Sequence, residues 1–190
     1  MADRAQGWPS GPVDLLVKAR LAPISVAVAA WADWARTRNM DDATWAEGRL
    51  LPGIMARGGV IPADAPQRPR IDGMRKFFWA RNNVRLDRSV GLIGALGDAG
   101  IRCMVLKGGA RIAARPADVA ERFLRDLDLL VPPADAGRAV LVALNAGWRP
   151  LTGSLPGRRR AAAFDRQLAG DPPGSKGGPE IDLHAWAVHF

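Results

Sequence analysis

Asp126-Leu127-Asp128-Leu129-Leu130-Val131, closed by Pro132-Pro133, is the stretch on which the reading of this chain turns. A short apolar run stopped by two prolines reads as a buried strand. Residues i and i+2 of a strand project to one face, so Asp126 and Asp128 can point at one spot. Two carboxylates a few ångströms apart repel, and a divalent cation is the usual remedy. Magnesium prefers carboxylate oxygens and keeps positions for water and substrate phosphates. Isolated Asp-x-Asp strings mostly cap turns, so the neighbouring segments have to decide.

Upstream, Ile101 to Leu106 follows Gly100 as an apolar run and reads as a second buried strand. Lys107-Gly108-Gly109 comes next, then Ala110 to Arg115 with helix-favouring composition. Bare backbone N–H groups and a helix dipole there suit a phosphate, while a tight turn is the plainer reading of two glycines. Downstream, Ala134 to Ala146 reads as a helix stopped by Gly147, with a strand from Trp148 to Leu151. Residues 153–179 hold Arg158-Arg159-Arg160, a short helix and a Gly/Pro-rich turn region. Glu180 to Val188 reads as a last strand, with Asp182 and His184 on one face. If that strand lies beside the first, the carboxylates of Asp126, Asp128 and Asp182 converge in one cleft. A third acid there suits a second metal or a base for an attacking hydroxyl.

The first part of the chain reads as helical. Residues 13–38 have Pro23 as a break, and Trp31 and Trp34 lie one turn apart. Asp41 or Asp42 is the expected cap of a short helix through Trp45 that ends around Pro52-Gly53. Gly58 to Asp72 reads as a loop or linker, and Met74 to Asp98 as a helix stopped by Gly100. The expected fold is α+β: a small mixed sheet with flanking helices, preceded by a mostly helical N-terminal region. The expected division is 1–73 and 74–190.

Composition narrows the classes. The 190 residues are 48% hydrophobic and 24% charged, a globular balance. Cys103 is the one cysteine, which excludes an intramolecular disulfide and cysteine-rich zinc sites. Its apolar neighbours make it a buried, inert thiol. Net charge is +8, and all basic residues but Lys18, Lys76, Lys107 and Lys176 are arginines. That suits phosphate-bearing ligands and nucleic acid, and equally a GC-rich genome. The N-terminus lacks a secretory h-region, and Leu21 to Trp34 is shorter than the roughly 20 residues of a membrane span. A soluble, cytoplasmic protein with no membrane partner is expected. The seven tryptophans are expected mostly as core anchors. His184 either touches a phosphate and tunes Asp182 or is a packed, hydrogen-bonded histidine.

The order Gly-Gly, Asp-x-Asp, lone strand Asp resembles the DNA polymerase β-like nucleotidyltransferase superfamily. More closely, Leu106-Lys107-Gly108, Arg122 to Val131 and Asp182-Leu183-His184 resemble the signatures of a bacterial family of uncharacterised nucleotidyltransferases. The likeness extends to Ala80-Arg81-Asn82-Asn83, placed ahead of the long helix, to Gly100-Ile101 and to Gly147-Trp148, covering roughly residues 41–189. The resemblance implies Asp126, Asp128 and Asp182 as catalytic acids and ligands of Mg2+ or Mn2+. It implies Gly108 and Gly109 as a triphosphate cradle with Lys107 beside it, and Arg122 as support for the acidic strand or the phosphates. The implied reaction moves a nucleoside monophosphate from an NTP to an acceptor and releases pyrophosphate. The acceptor's class stays open among small molecule, peptide, protein and RNA.

Three features depart from the family pattern. Sixteen residues separate Gly109 from Asp126, and Ala185 stands where a tryptophan follows the histidine. The chain also ends at Phe190 where relatives continue with a mainly helical region, so a protein partner supplying that part is an expectation. Two rivals follow: a catalytically silent nucleotide- or partner-binding module, and a basic nucleic-acid-binding protein whose acids are structural.

Overall fold

The structure is a computed structural model and describes residues 8–150, 165–169 and 180–185. It is α+β and divides into two compact units. The first comprises residues 1–79 with 117–123, the second residues 80–116 with 124–190.

The first unit is helical. Helix α1 (Pro12–Leu21) opens on a proline, whose missing N–H costs nothing in a first turn. Pro23 then forces Ala22 into extended backbone and separates α1 from α2 (Ile24–Thr37). The next cap differs from the expected Asp41 or Asp42, which lie in a 3-10 turn, Met40–Asp42. Thr44 and Glu47 instead form a capping box that starts α3 (Trp45–Gly48). Pro52-Gly53 is not a stop either: Pro52 sits in the first turn of α4 (Leu51–Ala56), where proline is tolerated. Trp31 and Trp34 stack at 5.3 Å among Leu16, Leu51, Ile54 and Ile71. Trp8, Trp45 and Trp79 are exposed, so only half of the six described tryptophans are core anchors.

Helix α5 (Arg68–Asp98) begins six residues before the expected Met74, and Ala80 to Asn83 lie inside it rather than ahead of it. Its end follows the sequence closely. Gly100 adopts φ 72°, Gly100 N–H bonds Gly97 C=O and Ile101 N–H bonds Leu96 C=O at 2.9 Å. This left-handed cap needs glycine and buries the apolar residue after it. The same device ends α7 (Ala136–Asn145), where Gly147 has φ 88° and Trp148 N–H bonds Ala143 C=O at 3.0 Å.

The sheet contains β1 (Met104–Val105), β2 (Leu127–Leu130), β3 (Arg149–Pro150), β4 (Asp165–Ala169) and β5 (Glu180–His184) in the order β1-β2-β5-β4-β3. Only β2 and β5 are parallel; the other neighbours are antiparallel. The expected strand Ile101–Leu106 shrinks to two paired residues because it is an edge, and Met104 is exposed. Strand β4 lies where a short helix was expected; its register is supplied by pairing to β5, and Leu168 is fully buried. The Arg158 to Arg160 run and Trp186 lie outside the described residues. Leu127, Leu129 and Val131 of the β2 run pack with Ile181 and Leu183 of β5, Leu92 and Leu96 of α5 and the small face of α7. Alternation turns Asp128 and Asp182 to the opposite side of these strands.

The sixteen residues between Gly109 and Asp126 have a structural use. After α6 (Lys107–Ala114) the chain forms a 3-10 turn, Pro116–Ala120, and residues 117–123 belong to the helical unit. Glu121 pairs with Arg20 at 2.9 Å, and Phe123 packs edge-on against Trp45 and Phe78.

Candidate active site

Strands β2 and β5 run parallel with Asp128 directly opposite Asp182 and Leu130 opposite His184. In-register partners on one face bring their side chains together. Ligand atoms of Asp128, Asp182 and His184 all lie within 4.8 Å of one another. The three residues are 4%, 9% and 7% exposed. His184 Nε2 is 2.9 Å from Asp128 Oδ1, so the histidine is both packed and part of the acidic cluster.

Lys107 completes the arrangement from the N-terminus of α6. Its Nζ donates to Asp128 Oδ1 at 2.6 Å, with the lysine side chain 63% exposed. The hydrogen bond to Asp128 raises the Lys107 pKa against a smaller opposing effect of burial, and the charges of Asp128, Asp126 and Asp182 add to the rise. Lys107 also has φ 47°, a left-handed conformation rare for a side-chain-bearing residue. It is the residue at which the chain turns from β1 into α6, and Leu106 N–H is held there by Asp128 C=O at 2.9 Å.

Asp126 is not brought into this cluster. It lies just before β2, where strand alternation no longer governs its direction, and its carboxylate is 3.3 Å from the Arg125 guanidinium. Its charge still reaches Lys107. Gly108 and Gly109 form the first turn of α6 and are buried, rather than a turn ahead of it. A Cβ on Gly109 would run into the Leu127 side chain and lie 2.7 Å from Val105 Cγ1. Close packing of α6 on the sheet thus explains that glycine. Arg122 is exposed in the bend that precedes β2. Cys103 is half-buried rather than buried and lies just ahead of β1, and burial raises its thiol pKa.

The donor set is two carboxylates and one imidazole, hard oxygens with a borderline nitrogen. It could hold a divalent cation. Residues 33–189 match the family described as uncharacterised nucleotidyltransferase, and the chain belongs to that family. Membership supports a general nucleotidyltransfer role. No curated protein and no solved structure gives a significant match. Among the described residues no helix is long and apolar enough to cross a membrane.

Proposed function

We propose that this chain is a metal-dependent nucleotidyltransferase that moves a nucleoside monophosphate from an NTP to an acceptor and releases pyrophosphate. The observation that carries this reading is the in-register pair Asp128–Asp182 with His184 beside it, in a member of a nucleotidyltransferase family. Asp128, Asp182 and His184 would hold Mg2+ or Mn2+, with Asp126 contributing charge from the strand entrance. The cation would supply Lewis-acid stabilisation of the phosphate oxygens.

The chain's own groups divide the remaining work. Lys107 offers an ammonium to the phosphates, and the first-turn N–H groups of Lys107, Gly108 and Gly109 offer donors at the positive end of α6. Asp182 receives the acceptor's hydroxyl proton as the new bond to the α-phosphorus forms and the bond to pyrophosphate breaks. Arg122 is assigned to the phosphates or to support of the acidic strand.

The test is Mn2+-dependent binding of a non-hydrolysable NTP, followed by calorimetry on the full chain and on Asp128→Asn. Wild type should bind the nucleotide only with Mn2+, and Asp128→Asn should bind at least tenfold more weakly. Equal binding by the two would remove the metal reading. Binding of the analogue, with no pyrophosphate released from the ordinary NTP across all candidate acceptors, would favour the catalytically silent module.

A further inference from the structure

The buried face of α5 is half polar. Its buried positions in the sheet unit run Asn82, Arg85, Ser89, Leu92, Leu96, spaced three or four apart and therefore on one face. Leu92 and Leu96 belong to the core beneath the sheet, as an amphipathic helix requires. Asn82, Arg85 and Ser89 are 0%, 5% and 2% exposed. Burying an amide and a guanidinium is unfavourable unless their hydrogen bonds are made, so the destination of those bonds is informative.

Two of them go to the backbone that enters the acidic strand. Asn82 Oδ1 accepts from Leu124 N–H at 3.1 Å, and Arg85 Nη1 donates to the Arg125 carbonyl. Residues 124–126 carry no strand pairing; the ladder with β5 starts at Leu127. Ser89 behaves differently, since its hydroxyl donates within the helix to Arg85 C=O at 2.8 Å.

We propose that Asn82 and Arg85 are positioning residues for the acidic cluster: they grip the chain just before Asp126 and so set the phase in which Asp128 enters β2. The phase matters because a slip of one residue would turn Leu129 toward Asp182 and bury Asp128 against the core. The ladder itself is four residues long, too short to make the register secure by pairing alone. The anchor fixes Leu124 and Arg125 from outside the sheet, through a helix whose other end is locked by the Gly100 cap. This inference rests on the metal-site reading above and adds to it the residues that hold the site in place.

The experiment measures Mn2+ affinity by electron paramagnetic resonance of unbound Mn2+, on the whole 190-residue chain below the melting temperature of every variant. Asn82→Ala and Arg85→Met should each weaken Mn2+ binding about tenfold or more, the scale of lost outer-sphere support. Arg85→Lys, which retains a donor for the Arg125 carbonyl, should recover part of that loss. Ser89→Ala is the matched control: it removes a buried hydrogen bond on the same face and should lower the melting temperature without changing Mn2+ affinity. Should Arg85→Met not fold, Arg85→Lys compared with wild type reads the same contact, with a smaller loss expected. Wild-type Mn2+ affinity in Asn82→Ala and in the folded Arg85 variant would overturn the inference while leaving the metal site standing. Failure of wild type to bind Mn2+ would instead remove the metal site, and this inference with it.

Discussion

The Glu47 carboxylate in the helical unit and the Asp128 carboxylate in the sheet unit are both withdrawn from solvent, at 1% and 4% exposed. Their surroundings differ. Glu47 Oε1 receives Trp34 Nε1 at 2.9 Å and Arg38 Nε at 3.1 Å. Its Oε2 receives Arg38 Nη2 at 3.1 Å and both the backbone N–H and the hydroxyl of Thr44 at 2.8 Å. Burial pushes the Glu47 pKa up, but the donors from Arg38, Thr44 and Trp34 outweigh it and hold the group at about 2. Among the described residues both hydrogen bonds to Asp128 arrive at Oδ1, one of them from the largely exposed Lys107, and a second carboxylate lies directly across the ladder. A carboxylate saturated on both oxygens by fixed donors is finished structure. One set beside another carboxylate, with an exchangeable cation at its edge, is a place for a ligand.

The largest effect that would sharpen the contrast is Glu47→Leu. It leaves Arg38, Trp34 and Thr44 with unanswered donors, so urea unfolding should show a loss of about 3–5 kcal/mol. Mn2+ affinity should not change. An effect on Mn2+ binding would break the comparison, because it would make the Glu47 knot part of the site.

Acid should separate the two centres next. Glu47 has a folded pKa of about 2 against 4.5 for the ordinary group, so its contribution is present above 4.5 and fades as pH falls through 2. On the order of 3 kcal/mol is at stake. Urea midpoints between pH 6 and pH 2 should fall less for Glu47→Gln than for wild type, since the variant has no carboxylate to protonate. Parallel curves would mean that the donors around Glu47 add nothing to stability.

Metal should act on the other centre alone. At a hundredfold excess over its Kd, Mn2+ should stabilise wild type by about 2.7 kcal/mol, read as a rise in melting temperature. Asp128→Asn and Asp182→Asn should abolish that rise, while Glu47→Gln should keep it. An undiminished rise in Asp128→Asn would show that the acids are not the ligands.

Two smaller effects test the edges of the sheet site. Gly109→Ala places a methyl against Leu127 and Val105 and should cost about 1–3 kcal/mol in thermal unfolding, as overpacking does. Retained stability would mean that packing on the sheet does not explain Gly109. Lys107→Met removes the cation that shares Asp128 Oδ1, so Mn2+ should bind a few-fold more tightly and NTP more weakly at low salt. Opposite signs for metal and nucleotide are the informative outcome; a common loss would make Lys107 a structural ion pair.

Much of this was legible in the residues because it depends on local rules. Gly100-Ile101 and Gly147-Trp148 announce left-handed helix caps, since only glycine takes that backbone without strain and the next apolar residue folds back on the helix. Pro23 divides two helices by steric exclusion, and Leu127 to Leu130 reads as a strand from its composition and its proline stop. Asp128, Asp182 and His184 were all visible as chemistry on strands. The Thr44-x-x-Glu47 capping box was equally legible, and attention to Asp41 and Asp42 passed over it.

Tertiary structure alone decided which of these residues meet. Register is a property of two strands, so only the parallel β2–β5 ladder sets Asp128 opposite Asp182 and brings in His184 two residues on. Asp126 falls outside because pairing begins one residue after it, a boundary that alternation in the sequence does not mark. Strand β4 has one fully buried leucine and acquires its conformation from its neighbours' unpaired backbone groups. The grip of Asn82 and Arg85 on residues 124 and 125 spans about forty positions of chain, a contact that no local pattern encodes. Local backbone preferences act within a few residues and can be read in order. Long-range contacts are set by the burial of whole faces, which exists only once the chain has folded.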